Sequence, residues 1–170
     1  MATTLTINDI TVQVSGTFTS GIDLGTASLP ISHVYTDSLA NGTAIDQVDL
    51  YFSDNRSVVT GTPDNIDLAA VLTSVYGATI TFVQVKLLLI KNKSTTAGEI
   101  LTVGGHATAA FKNWVGDVTD TIKIPPNGMF MTYGPAATAF AVTATTFDML
   151  AVAAVAGTIS YDIVILGTSA

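Results

Sequence analysis

Thr81-Phe82-Val83-Gln84-Val85-Lys86-Leu87-Leu88-Leu89-Ile90 carries apolar side chains at odd and even positions alike. Successive side chains of a strand point to opposite faces, so a run that is apolar on both faces suits a strand covered on both sides. Val83, Val85, Leu87 and Leu89, with Phe82 and Leu88, are therefore expected to form a central buried strand. Outward from it, Gln47-Val48-Asp49-Leu50-Tyr51-Phe52 alternates, which places Val48, Leu50 and Phe52 on one face. Leu5 and Ile7, then Ile10, Val12 and Val14, predict one or two opening strands with Gly16 as punctuation. Thr121–Ile124, Met129–Tyr133, Phe140–Thr143 and Ser160–Leu166 continue a series of short strands. Asn41-Gly42, Gly61-Thr62-Pro63-Asp64, Gly104-Gly105, Pro125-Pro126-Asn127-Gly128 and Gly134-Pro135 separate them with turn chemistry. Thr, Val and Ile dominate throughout, and β-branched residues suit a pleated surface.

One segment has a different period. Leu68, Val71, Leu72, Val75 and Tyr76 recur at i, i+3, i+4, i+7 and i+8, the stripe of a short amphipathic helix. Thr62-Pro63, Asp64 or Asp67 would start it, and Gly77 would end it. The resulting expectation is an all-β fold, a β-sandwich with one short helix. No internal repeat or long linker divides the 170 residues, which suit a single domain with its own core.

Composition narrows the function classes. Charged residues make up only 11% of the chain against 48% hydrophobic, where ordinary domains carry about 25% charged. A surface of Thr, Ser, Asn, Gly and Ala is buried against a neighbour at little desolvation cost, so assembly is favoured over chemistry. The six basic and thirteen acidic residues give a net charge of -7, which argues against nucleic acid, because counterion release needs clustered Lys and Arg. All the basic residues fall between Arg56 and Lys123, whereas Asp9, Asp23, Asp37, Asp46, Asp49 and Asp54 face no basic residue before Arg56. There are no cysteines, so disulfides, thiolate metal sites and cysteine nucleophiles are excluded. The start of the chain lacks a secretory pattern, and the longest apolar run, Met149–Ala156, is too short to span a bilayer. Synthesis in the cytoplasm without membrane insertion is expected.

The residues that carry chemistry elsewhere are isolated here. His33 and His106 lie far apart with no metal-ligand spacing. Asp37, Asp46 and Asp49 lack an EF-hand pattern, and alternation sends Asp46 and Asp49 to opposite faces. Thr102-Val103-Gly104-Gly105-His106 lacks the features of a phosphate loop and reads as a tight turn. Glu99 is the single glutamate, so no glutamate pair exists for glycoside hydrolysis. Asn41-Gly42-Thr43, Asn55-Arg56-Ser57 and Asn92-Lys93-Ser94 match the glycosylation triplet by chance in a Thr-rich chain. Arg56 is expected to clamp Asp54 or Asp67, with contact to another subunit as the alternative. Trp114, near Phe111, either plugs one end of the core or anchors a neighbouring copy. No catalytic, cofactor-binding or metal residue is assigned, and no enzymatic activity is expected.

The run Asp46-Gln47-Val48-Asp49-Leu50-Tyr51-Phe52-Ser53-Asp54-Asn55-Arg56 resembles a segment of small structural proteins of tailed bacteriophages. Ile66-Asp67-Leu68 to Gly77, Phe82–Lys86, Val103-Gly104-Gly105 and Tyr161–Gly167 extend the likeness from Ala44 onward. Within that group the similarity is to capsid decoration, or cement, proteins. The resemblance implies a jelly-roll β-sandwich that binds the major capsid protein on the outside of the virion as a homotrimer. It implies no cofactor, nucleic acid or membrane partner. Met1–Asn41 falls outside the likeness, which divides the chain into an N-terminal strand or arm region, residues 1–41, and a β-sandwich, residues 42–170. Removal of Met1–Ser15 is expected to spare the fold. The rival reading is a tail or head-fibre receptor-binding module, with Trp114, Tyr133 and Tyr51 as its recognition patch.

Overall fold

A computed structural model of the chain describes residues 4–70 and 72–170. Strands follow one another in the order β1 (Ile7–Ile22), β2 (Gly25–Asn41), β3 (Gln47–Val48), β4 (Leu50–Val59), β5 (Asp64–Asp67), β6 (Leu72–Thr73) and β7 (Thr79–Ile80). They continue as β8 (Gln84–Asn92), β9 (Leu101–Gly104), β10 (Thr121–Ile124), β11 (Met129–Tyr133), β12 (Phe140–Ala141), β13 (Met149–Ala154) and β14 (Thr158–Thr168). The fold is all-β, with no helix among the described residues.

Two sheets form the body. One runs β4-β14-β8-β11, with β12 also paired to β8, and the other runs β5-β13-β9-β10; every pairing in them is antiparallel. Among these eight principal strands, every connection except β9 to β10 passes from one sheet to the other. Phe52, Val85, Leu88, Ile90, Ile163 and Ile165 from the first sheet meet Ile66, Leu101, Val103, Ile124, Leu150 and Val152 from the second in one buried cluster. Two sheets packed through a shared core of inward side chains is the arrangement of a β-sandwich.

The period-two reading of Thr81–Ile90 describes β8, which is flanked by β14 and β11. Val85, Leu88 and Ile90 enter the inner core. Leu87 and Leu89 join Leu39, Val48, Leu166, Met131 and Tyr133 in a second cluster on the outer face of the same sheet. Val85 and Leu88 share a face because the register slips: Leu87 opposes Leu166, but Val85 opposes Gly167. Lys86 is the extra residue of this bulge. It is fully buried, and its Nζ donates to the Ala44 carbonyl. Burial lowers the Lys86 ammonium below its ordinary value, against the pull of Asp46 and Asp49. Gly167 is required opposite the bulge, since a Cβ there would sit 2.1 Å from the Gln84 carbonyl and 2.6 Å from the Phe82 ring.

Three sequence expectations are corrected. Val83 lies before the strand and is 40% exposed. Val48 does not share a face with Phe52, because Asp49 breaks the run: its N–H bonds the Gly167 carbonyl and its carboxylate takes Ser169. Val48 turns to the outer cluster, whereas Leu50 and Phe52 pack with the inner one.

The helix over Leu68–Tyr76 does not form. Val71 lies outside the described residues; the others of the stripe do not share a face. Leu68 and Leu72 are buried, but Tyr76 is 84% exposed on the β6–β7 hairpin. The Leu68 N–H donates to the Asp148 carbonyl, and its own carbonyl accepts from Phe82. Those bonds tie the segment laterally to neighbouring chain, so no i to i−4 ladder is available to it. Asp67, proposed as a cap, accepts from the Ala69 N–H in a turn. Gly77 is left-handed (φ 82°), but as a turn residue whose N–H bonds Ser74.

Candidate assembly surface

The amino-terminal strands do not lie in the body. β1, of 16 residues, and β2, of 17, pair antiparallel as one hairpin turning at Asp23-Leu24. At about 3.3 Å per residue the ribbon reaches about 50 Å. Outside its base it is exposed on both faces. Leu24 at the tip is 99% exposed.

Register divides the ribbon into two unlike faces. Residues directly opposite in an antiparallel pair project to the same side. Val12 opposes Tyr35, Phe18 opposes Leu29, Gly16 opposes Ile31 and Val14 opposes His33. With Ile22, these residues give one apolar face. One register step away, Thr11 opposes Thr36, Gln13 opposes Val34, Ser15 opposes Ser32, Thr17 opposes Pro30 and Thr19 opposes Ser28. That second face is mainly hydroxyl, interrupted by Val34 and Pro30. Between Asp9 and Asp37 the ribbon carries a single carboxylate, Asp23, at its turn.

The base of the ribbon is fastened to the body. Leu5, Ile7, Ile10 and Leu39 pack into the outer cluster. The Leu5 N–H donates to Asn41 Oδ1 at 2.8 Å. The Tyr133 hydroxyl donates to Asp37 Oδ2 at 2.6 Å. That bond, with one from the Ser38 N–H, holds the Asp37 carboxyl below its ordinary value. Burial and the same bond push the Tyr133 phenol up. A cavity of about 230 Å³ between Ile10, Val12, Tyr35, Met131 and Tyr133 continues the apolar face from the body onto the ribbon. Deleting Met1–Ser15 would therefore remove Leu5, Ile7 and Ile10 from the outer cluster and leave residues 32–39 of β2 without their β1 partners. The sequence expectation that this deletion spares the fold is replaced: the freely projecting part is residues 13–34.

The other candidate residues serve the body. Arg56 on β4 makes a two-pronged contact with Asp64 on β5, Nε to Oδ2 at 2.6 Å and Nη2 to Oδ1 at 2.8 Å. Its Nη1 reaches Asp54 at 3.0 Å. Asp54 was one of the two expected partners; Asp67 is replaced by Asp64. The fully buried Tyr161 on β14 donates its hydroxyl to Asp64 Oδ2 at 2.7 Å, so the cluster ties the two sheets together. Burial opposes ionisation of Asp64, but the bonds from Arg56 and Tyr161 and the Arg56 charge outweigh it and lower its pKa. The Asp64 bond raises Arg56 against the effect of burial.

A carboxylate with a lowered folded pKa contributes stability above its unfolded value and loses it as pH falls through the folded one. Asp64→Asn is expected to cost about 1 to 3 kcal/mol at neutral pH, nearer the lower figure because the Arg56 side chain is partly exposed. That difference should shrink as pH falls from the ordinary carboxylate value of 3.8. Urea denaturation at neutral pH and below pH 3.8 checks this; a cost independent of pH contradicts it.

Trp114 packs against the inner core: its Nε1 donates to the Phe111 carbonyl at 2.8 Å and its ring lies 5.4 Å from Phe130. Tyr51 and Tyr133 belong to the outer cluster, so the three aromatics of the rival recognition patch are not brought together. His33 lies on the apolar face of the ribbon, and His106, after β9, accepts from the Ala109 N–H at 3.2 Å. Among the described residues no group of three His, Asp or Glu side chains is placed to hold a metal. Gly104 and Gly105 both have positive φ (104° and 71°), but Thr102–His106 is not the expected tight turn: Leu101–Gly104 is a strand, and the turn residues are Ala107, Thr108 and Ala109. The triplet asparagines are engaged internally. Asn41 accepts from Leu5, Asn55 bonds Asp162, and the fully buried Asn92 donates to the Glu99 and Ile124 carbonyls while accepting from Ser94. Nothing in the sequence marks Asn92 as a core residue.

Comparison with protein-family models, with curated proteins and with solved structures returns no match.

Proposed function

We propose that the protein is a virion structural protein, a capsid decoration protein that binds the outer face of a phage head as a homotrimer and reinforces the shell. The observation that carries this reading is the ribbon: a weakly charged arm on a body whose clustered side chains are occupied with one another. A long uncovered strand pair is a template for association, and a free-standing monomer gains nothing from it. The strand orders β4-β14-β8-β11 and β5-β13-β9-β10, with nearly every connection crossing between sheets, support a jelly roll, an architecture common in capsid domains. The resemblance from Asp46 onward supports the particular choice of a decoration protein. Repeated attachment over a lattice adds avidity to interfaces of ordinary size. The reading assigns no catalytic, cofactor-binding or metal residue and makes the major capsid protein the partner.

The test is immunogold labelling of purified particles that contain the chain, followed by image reconstruction. Density outside the shell at its three-fold positions is expected. Label confined to tail fibres, or protein absent from the head, would overturn the assignment.

A further inference from the structure

We propose that the apolar face of the β1–β2 ribbon is an interface between copies of this chain, covered by the same face of a neighbouring arm. This rests on the assembling role proposed above and names the arm's partner. The face presents Val12, Val14, Phe18, Ile22, Leu29, Ile31 and Tyr35 on one side of the two strands. Phe18 is 63% and Leu29 62% exposed. A ribbon of two strands is marginal in water by itself and needs a hydrophobic cover. Twelve residue pairs span about 40 Å, and two strands with their side chains about 10 Å, so the face amounts to about 400 Å². A patch of that size is among the largest that an ordinary monomer exposes, and such patches are often functional.

Charge favours a second copy as the cover. With thirteen acidic and six basic residues, two copies repel wherever their acidic surfaces meet. Along the ribbon that repulsion is nearly absent, since Asp23 is at the tip and Asp37 is at the base, bonded to Tyr133. A basic partner would find its counter-charges on the body instead. The two faces also fit a closed bundle of arms: the apolar faces turn inward and pack as sheets do, and the Thr and Ser faces stay hydrated outside. The cavity at the base, lined by Ile10 and Tyr133, already turns this same face toward the body's outer cluster. His33 is the one basic side chain within the face between base and tip.

Two matched pairs of substitutions in the full-length chain test the proposal. Phe18→Lys with Leu29→Lys places charge on the apolar face; Thr19→Lys with Ser28→Lys places the same charge one register step away, on the hydroxyl face. Sedimentation velocity without capsids gives the mass, and the thermal transition reports on the body. The apolar-face pair should fall to the mass of one chain with the body's transition retained, and the hydroxyl-face pair should keep the wild-type mass. Because the chain has no cysteine, Phe18→Cys and Thr19→Cys give a second reading that tolerates poor folding of the lysine variants. A short bis-maleimide should join copies through Phe18→Cys and not through Thr19→Cys.

A monomeric wild type, an unchanged mass in the apolar-face pair, or equal cross-linking of both cysteines would overturn the proposal. If the apolar-face pair stays oligomeric but no longer co-sediments with shells, the face meets the shell: the inference fails and the decoration reading survives. If the wild type floats as a monomer with phosphatidylcholine vesicles, the face is a lipid surface and the inference is wrong.

Discussion

Replacing Leu88 by Ala is expected to destabilise the body by about 2 to 5 kcal/mol, the range for a buried leucine whose site collapses incompletely. Leu88 is buried between the two sheets on β8, with β14 on one side and β11 on the other. Neighbouring strands hold the backbone in place, so the cavity cannot close by a shift of the strand. Leu87→Ala should cost less. Leu87 points to the outer cluster, where Tyr51, Leu89, Met131 and Tyr133 are only partly buried and free to settle inward. Chemical denaturation of the two variants checks the order. A Leu88→Ala cost under about 1 kcal/mol, the size of an ordinary surface change, would remove β8 from the centre of the fold.

The second large effect belongs to Asn92. Its Nδ2 donates to the Glu99 carbonyl at 2.9 Å and the Ile124 carbonyl at 3.1 Å, and its Oδ1 accepts from the Ser94 N–H at 2.9 Å. One side chain thereby satisfies backbone groups at the end of β10 and in the loop after β8. Asn92→Ala leaves those partners unpaired; the Ile124 carbonyl is buried and the other two groups are half-buried, and a buried orphan costs about 1 to 3 kcal/mol. The combined loss is expected at about 3 kcal/mol. Asn92→Asp should be no better at neutral pH, because a carboxylate cannot donate to either carbonyl and would carry its charge into the core. The midpoint of urea denaturation measures both. An Asp variant as stable as wild type would show that water reaches this site.

Much of the body was legible because its strands keep period two. Thr121–Ile124, Met129–Tyr133 and Ser160–Leu166 lie within or coincide with β10, β11 and β14. The failures have physical causes. Leu68 to Tyr76 has helical spacing, but Leu68 bonds Asp148 and Phe82, partners distant in sequence, and such tertiary bonds override a local period. Asp49 broke an apparently clean alternation because its backbone and carboxylate answer to the last strand. The β5 strand, Asp64–Asp67, has a single apolar residue, and Leu101 and Val103 of β9 run into Gly104-Gly105, whose composition reads as a turn.

The arm was legible in part. The apolar residues of β1 fall at even positions from Val12 to Ile22, but Gly16 and Ser20 interrupt them. In β2, Leu29, Ile31 and Tyr35 fall at odd positions, with His33 among them and Val34 and Pro30 on the other face. Only the register that sets Phe18 opposite Leu29 joins the two half-patterns into one face. The structural role of Asn92 left no mark at all, since an isolated Asn before Lys93-Ser94 has no local signature of burial.

The most direct test of an assembling, trimeric protein is the mass of the purified full-length chain in solution. Multi-angle light scattering across a wide concentration range should give a single species of three chains. A species of one chain that persists at the highest concentration would contradict the account, because the ribbon's apolar face would then be stable in water without a partner.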